Sequence, residues 1–135
     1  MEFLRELFRP PDPQKLKKLE DVRGLINALH YMDVGVRTET ANVLAEMRPA
    51  EAVPELIVAL KDPDERVRTA VAHALQEIVT LHKDTPQRDQ VQQWLLEALQ
   101  AQTNDYLRQT VSELLPIFDM PAGTRPTEVE GSQGD

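Results

Sequence analysis

Cysteine is absent from the chain, which rules out disulfides, thiolate nucleophiles and thiolate metal sites and suits a reducing compartment. Glycine is scarce at five residues, two of them Gly131 and Gly134 near the end, so no glycine-rich loop is available to cradle a phosphate. Ser112 and Ser132 are the only serines, and neither lies in a nucleophile-elbow sequence. No apolar run approaches the roughly 18 residues of a membrane span. The segment Met1-Glu2-Phe3-Leu4-Arg5-Glu6-Leu7-Phe8-Arg9 interrupts its apolar residues with charge every two or three positions, unlike a signal-peptide core. A soluble cytoplasmic protein without a membrane partner is expected. Positive charge is in deficit too: 15 Lys and Arg stand against 23 Asp and Glu, a net charge of −8. A phosphate backbone is repelled by such a chain, so no nucleic-acid partner is expected.

Aromatic residues make up only 4 %, so a core must be assembled from Leu, Val, Ile and Ala, which favours packed helices over a β-sandwich. A length of 135 residues fits one domain. The organising feature is internal repetition. An offset of 31 residues carries Ala28-Leu29 onto Ala59-Leu60, Asp33 onto Asp64, Val36-Arg37 onto Val67-Arg68, Ala41 onto Ala72 and Leu44 onto Leu75. An offset of 40 carries Val67-Arg68 onto Leu107-Arg108, Val71 onto Val111 and Leu75 onto Leu115. The longer spacing reflects extra residues around Thr80 to Gln87, where Asp84-Thr85-Pro86 reads as a loop.

Within a copy the apolar residues recur at three and four, as in Val67, Val71, Leu75 and Ile78 or Val53, Leu56, Ile57 and Leu60, so each copy is two helices. Asp62-Pro63 followed by Glu65 reads as a helix start with a capping box, and Pro49 and Pro54 mark the preceding start. The expected helices are 14–19, 21–32, 35–47, 51–61, 64–81, 88–102 and 104–118. One hairpin cannot bury both its stripes, so successive copies must stack into a solenoid. The expected architecture is an all-α superhelix of about three hairpins, 21–47, 51–81 and 88–118. Residues 1–20 form an N-terminal cap, in which Phe3, Leu4, Leu7 and Phe8 cover the first hairpin, a docking segment being the other reading of residues 1–12. Residues 119–135, rich in Pro, Gly, Thr and Glu, read as a disordered acidic tail.

The segments Leu60 to Arg68 (LKDPDERVR), Ala70 to Ile78 (AVAHALQEI) and Ala52 to Ile57 (AVPELI) closely resemble HEAT-like repeats of the phycobilisome-lyase type. That resemblance spans about residues 14–118 and implies an α-solenoid scaffold whose default role is binding another protein. It is nearly silent on activity. Proteins with this repeat include bilin lyases, so a bilin lyase relative is the alternative; a homo-oligomeric structural subunit, twin chains covering each other's end faces, is a third reading. A related enzyme family, the deoxyhypusine hydroxylases, builds a di-iron site from His-Glu pairs. Here His30 precedes Tyr31, His73 precedes Ala74 and His82 precedes Lys83, in different parts of the repeat. No metal, cofactor or catalytic residue is therefore expected, and the chain reads as a non-enzyme.

Arg37, Arg68 and Arg108 each lie four residues after Asp33, Asp64 or Asn104. That spacing suits pairing on one helix face, and a structural ladder linking successive hairpins is expected of these six residues. With Val36, Thr40, Ala41 and Leu44 or their equivalents assigned to the core, the outward face of the second helices carries Thr38, Asn42, Glu46, Thr69, His73, Gln76, Glu77, Gln109 and Glu113. This polar face is the expected partner surface, and Trp94 is either a core residue or an anchor for that partner.

Overall fold

The computed structural model describes residues 9–101 and 104–126, and among these the chain is helical with no strand. The α-helices are α1 (Pro13–Lys18), α2 (Val22–Ala28), α3 (Val34–Met47), α4 (Val53–Ala59), α5 (Glu65–His82), α6 (Arg88–Ala101) and α7 (Asp105–Leu114). Ala50–Ala52 and Leu115–Asp119 form short 3-10 segments. The hairpins expected from the sequence correspond to the pairs α2–α3, α4–α5 and α6–α7, each in mutual contact. The second members form one row, with α5 packed between α3 and α7, while α4 touches α6 in the row behind. Short α1 rests on α2 and α3. The expected covering helix with Phe3, Leu4, Leu7 and Phe8 falls on residues 1–8, outside the described residues.

Most helix starts follow from one device, an Asp or Asn carboxylate or amide oxygen accepting a free backbone N–H of the first turn. Asp12 serves Gln14 and Lys15, Asp21 serves Gly24, Asp33 serves Val36, Asp64 serves Arg66 and Asn104 serves Leu107. The start expected at Asp62-Pro63 is corrected accordingly. Asp64 is the cap of α5, and the Asp62 carboxylate accepts the Asp64 N–H at 2.9 Å in the turn before it. At the other end of α3, Arg48 adopts the left-handed conformation (φ 57, ψ 47) and returns its N–H to Leu44 O at 2.8 Å, which stops the helix one residue before Pro49.

The core runs continuously through all three hairpins. Leu25, Leu29, Leu44, Leu56, Leu60, Leu75, Ile78, Leu95 and Leu107 are fully buried, each contributing about 1.5–3 kcal/mol relative to exposure. On α3 the buried set is Thr40, Ala41, Val43, Leu44 and Ala45, wider than one stripe because neighbours stand on several sides. Val36, expected in the core, is only half-buried. Thr40 is tolerated inside because its hydroxyl donates to Val36 O at 2.6 Å. The inserted residues near Thr80 partly lengthen α5, which has 18 residues to the 14 of α3, and Thr80 is buried. The expected last helix divides: α7 ends at Leu114, and Pro116, which has no N–H, lies in the following 3-10 segment.

Composition assigns everything from Asp119 onward to a disordered tail, and this is corrected for its first part. Ile117 and Phe118 are buried, and the chain then turns back across the C-terminal half of α5. Lys83 Nζ donates to Pro121 O at 3.0 Å, the Gly123 N–H donates to Asp84 Oδ2 at 3.0 Å, and the Arg125 guanidinium donates to Glu77. These contacts replace the apolar burial that the segment lacks. Residues 127–135 lie outside the described residues.

Candidate functional site

The side-by-side second helices leave two grooves. The larger, about 650 Å³, lies between α5 and α7. Thr69, His73 and Gln76 line one wall and Gln109 and Glu113 the other, over a floor that includes Ala72, Leu114 and Ile117. Tyr106, Thr110, Met120 and Pro126 complete the lining. A second groove of about 490 Å³ is lined by Asn42, Glu65, Arg66, Thr69, Ala70 and His73. Thr69 and His73 belong to both, so the grooves form one continuous surface across three helices. Thus Asn42, Thr69, His73, Gln76, Gln109 and Glu113, expected on one face from spacing, are brought together.

The remaining expected site residues are engaged elsewhere. Thr38 is half-buried and its hydroxyl donates to Val34 O at 2.9 Å. Glu46 accepts from Lys17 Nζ at 2.6 Å, tying α3 to α1. Glu77 is not an open surface residue: its side chain is 14 % exposed, with Arg125 on it and Arg48 Nη2 at 3.9 Å. Trp94 packs partly against the core and lines a separate depression with Arg48, Glu51, His82 and Gln90. Within it the His82 ring bridges Arg48 O and the Thr85 hydroxyl, each at 2.9 Å.

The ladder expected between each Asp or Asn and the Arg four residues on is corrected as well. Asp33, Asp64 and Asn104 are helix caps, so their oxygens point at backbone N–H groups. Arg37 instead reaches out of its hairpin. It forks onto the Asp62 carboxylate (Nε to Oδ2 2.8 Å, Nη2 to Oδ1 3.1 Å) and donates to Tyr31 O and Met32 O at 2.9 and 3.0 Å. Arg68 repeats part of this by donating to Asp62 O at 2.8 Å, six residues back, as Tyr31 is from Arg37. Its guanidinium then lies over the Tyr106 ring, 5.5 Å from the centroid. Arg108 is exposed, and its side chain makes no hydrogen bond or ion pair among the described residues. The Arg ladder therefore links hairpins, through the next hairpin's loop acid or ring rather than its own cap.

Among the described residues two carboxylates have lowered pKa values. Asp64 is held down to about 2, first by the Arg66 guanidinium and then by the Arg66 backbone N–H. Asp84 lies below its ordinary value, chiefly through the Lys83 ammonium and then the Gly123 N–H. Both effects are structural, stabilising a helix start and the returning C-terminal segment. Among the described residues no group of three or more His, Asp or Glu is arranged to hold a metal ion, and no helix is long and apolar enough to cross a membrane.

Spacing missed Asp62, Tyr106 as a stacking partner, and the Lys83-Asp84 anchor. The only sequence signal for the returning segment is the apolar pair Ile117-Phe118 beyond Pro116.

Stacked helical hairpins joined by an Arg-to-next-loop bridge, with grooves between their second helices, define an α-helical repeat protein. The chain belongs to the HEAT-repeat family, whose model matches residues 22–115. HEAT repeats are generally protein-interaction scaffolds and typically non-catalytic. No curated protein matches the chain.

Proposed function

We propose that this protein is a non-catalytic scaffold, built of the repeats 21–47, 51–81 and 88–118, that binds another protein along the row of second helices. The observation that carries this reading is the continuous double groove, with polar walls from Asn42, Thr69, His73, Gln109 and Glu113 above a partly apolar floor. Such a surface suits a polypeptide, whose backbone finds donors and acceptors on the rim while its side chains reach apolar ground. The net charge of −8 favours a basic partner and disfavours nucleic acid. Capture of tagged protein from its native lysate, beside an Asn42→Lys, Thr69→Lys, Gln109→Lys variant, tests the reading. A partner lost in a variant that melts normally supports it, and a partner retained moves the site to Trp94 or the termini. The resemblance of the repeats to the phycobilisome-lyase type keeps a bilin lyase relative as the alternative; an absorbance titration in which the chromophore spectrum does not change removes it.

A further inference from the structure

The groove between α5 and α7 is bordered by the chain's own C-terminal segment, which lies against the end of α5 and enters the groove at Pro126. From Met120 the backbone doubles back and descends α5 from its C-terminal end: Pro121 and Gly123 meet Lys83 and Asp84, Arg125 meets Glu77, and Pro126 reaches the groove beside His73 and Gln76. The base of this strap is firmly seated. The Lys83 side chain is fully buried, with Nζ 2.6 Å from Asp84 Oδ2 and 3.0 Å from Pro121 O. At its tip Arg125 Nη2 bridges both Glu77 oxygens, Oε1 at 3.0 Å. Arg125 remains 40 % exposed while Glu77 is 14 % exposed, so the acceptor is largely enclosed and the arginine is the more accessible half of the pair.

We infer that the groove's partner is an extended peptide segment of another protein carrying an arginine followed by proline, and that residues 121–126 are a resident mimic which such a segment displaces. This inference rests on the groove reading above and specifies its ligand. Charge selects the arginine: Glu77, whose other cationic neighbour Arg48 stands 3.9 Å away, accepts from it, and Glu113 lines the groove that Pro126 enters next to it. Proline has no N–H to leave unpaired and arrives already extended, which limits the ordering entropy. Because the mimic is tethered, it competes at high effective concentration, and an external segment must overcome that competition.

The test is an NMR titration of the isotope-labelled full chain with a synthetic peptide of sequence Pro-Ala-Gly-Thr-Arg-Pro-Thr-Glu, residues 121–128. In an Arg125→Ala chain the amides of Thr69 to Glu77 and Gln109 to Glu113 should shift, reaching half-saturation at roughly tenfold or more lower peptide concentration than in wild type. A peptide with alanine in place of its arginine should produce no shifts, and Glu77→Gln should weaken binding in the Arg125→Ala background. Equal curves for wild type and Arg125→Ala, no shifts in either, or shifts mapping to the Trp94 depression overturn the inference. A concentration-dependent dimer with one copy's strap in the other's groove overturns it too. None of these failures touches the capture result, whose variant leaves Glu77 and Arg125 intact.

Discussion

The junction between the first and second hairpins and the junction between the second and third are built from the same repeat, yet the first is locked by a buried ion pair and carries the smaller groove while the second carries the larger. At the first, Arg37 and Asp62 form a forked ion pair with side chains only 12 % and 9 % exposed, and the long helices α3 and α5 lie against each other. At the second, the residue in sequence register with Asp62 is Gln102, and the Arg68 guanidinium lies over the Tyr106 ring. Helix α7 is four residues shorter than α3 as its 10 residues compare with 14, and Pro116 follows at once. The shorter wall leaves the larger groove, and the C-terminal strap occupies its edge. A solenoid can thus vary each interface separately, because each repeat contacts chiefly its neighbours.

The largest expected effect lies at the ion-paired junction. Asp62→Ala strands the Arg37 guanidinium in a nearly water-free site, and denaturant unfolding should show a loss of about 3–5 kcal/mol. Arg68→Ala should cost only about 1–2 kcal/mol, the sum of one carbonyl hydrogen bond and a partly exposed cation–π contact. Equal losses at the two sites would erase the distinction drawn between the junctions. At the groove itself, Arg68→Ala should lower stability more than it lowers affinity for any partner; lost binding with unchanged melting would make Arg68 a ligand contact.

Next in size is Asn104→Ala, which removes the cap of α7. A loss of about 1 kcal/mol is expected, read as a lower melting temperature and as faster amide exchange in α7 with little change in α3. Uniform exchange changes would mean that the hairpins unfold as one unit.

The smallest effect is expected from acid. Asp64 and Asp84 have folded pKa values below their unfolded ones, so each stabilises the fold fully above the ordinary carboxylate range and loses that contribution as pH falls through the folded value. For Asp64 the window runs from its ordinary 3.8 down to about 2. Melting temperature should therefore fall across that window, and the fall should be shallower in Asp64→Asn and Asp84→Asn. An unchanged acid limb in Asp84→Asn would remove the Lys83 anchor from the account of the strap.

Much of this was legible in the one-dimensional pattern. The offset of 31 residues located the first two hairpins, and three-and-four spacing on Val67, Val71, Leu75 and Ile78 identified the buried side of α5. The same spacing placed Asn42, Thr69, His73, Gln76, Gln109 and Glu113 on the groove surface, because a helix face follows from period alone. It failed for Glu77 and Glu46, which have the right phase but meet Arg125 and Lys17 from distant segments. It failed for the Asp-to-Arg pairs because an acid at a helix start has a nearer use, the free N–H groups of the first turn.

The sequence by itself determined the repeat, the helix starts and the buried stripe, since backbone capping and apolar periodicity act over a few residues. Tertiary structure decided which hairpin Arg37 bridges to, where the polar face opens into a groove, and that residues 121–126 lie against Glu77. Those contacts join residues 25 to 48 positions apart. Their partners are selected by which helices stack, and no local pattern of charge or hydrophobicity encodes that choice.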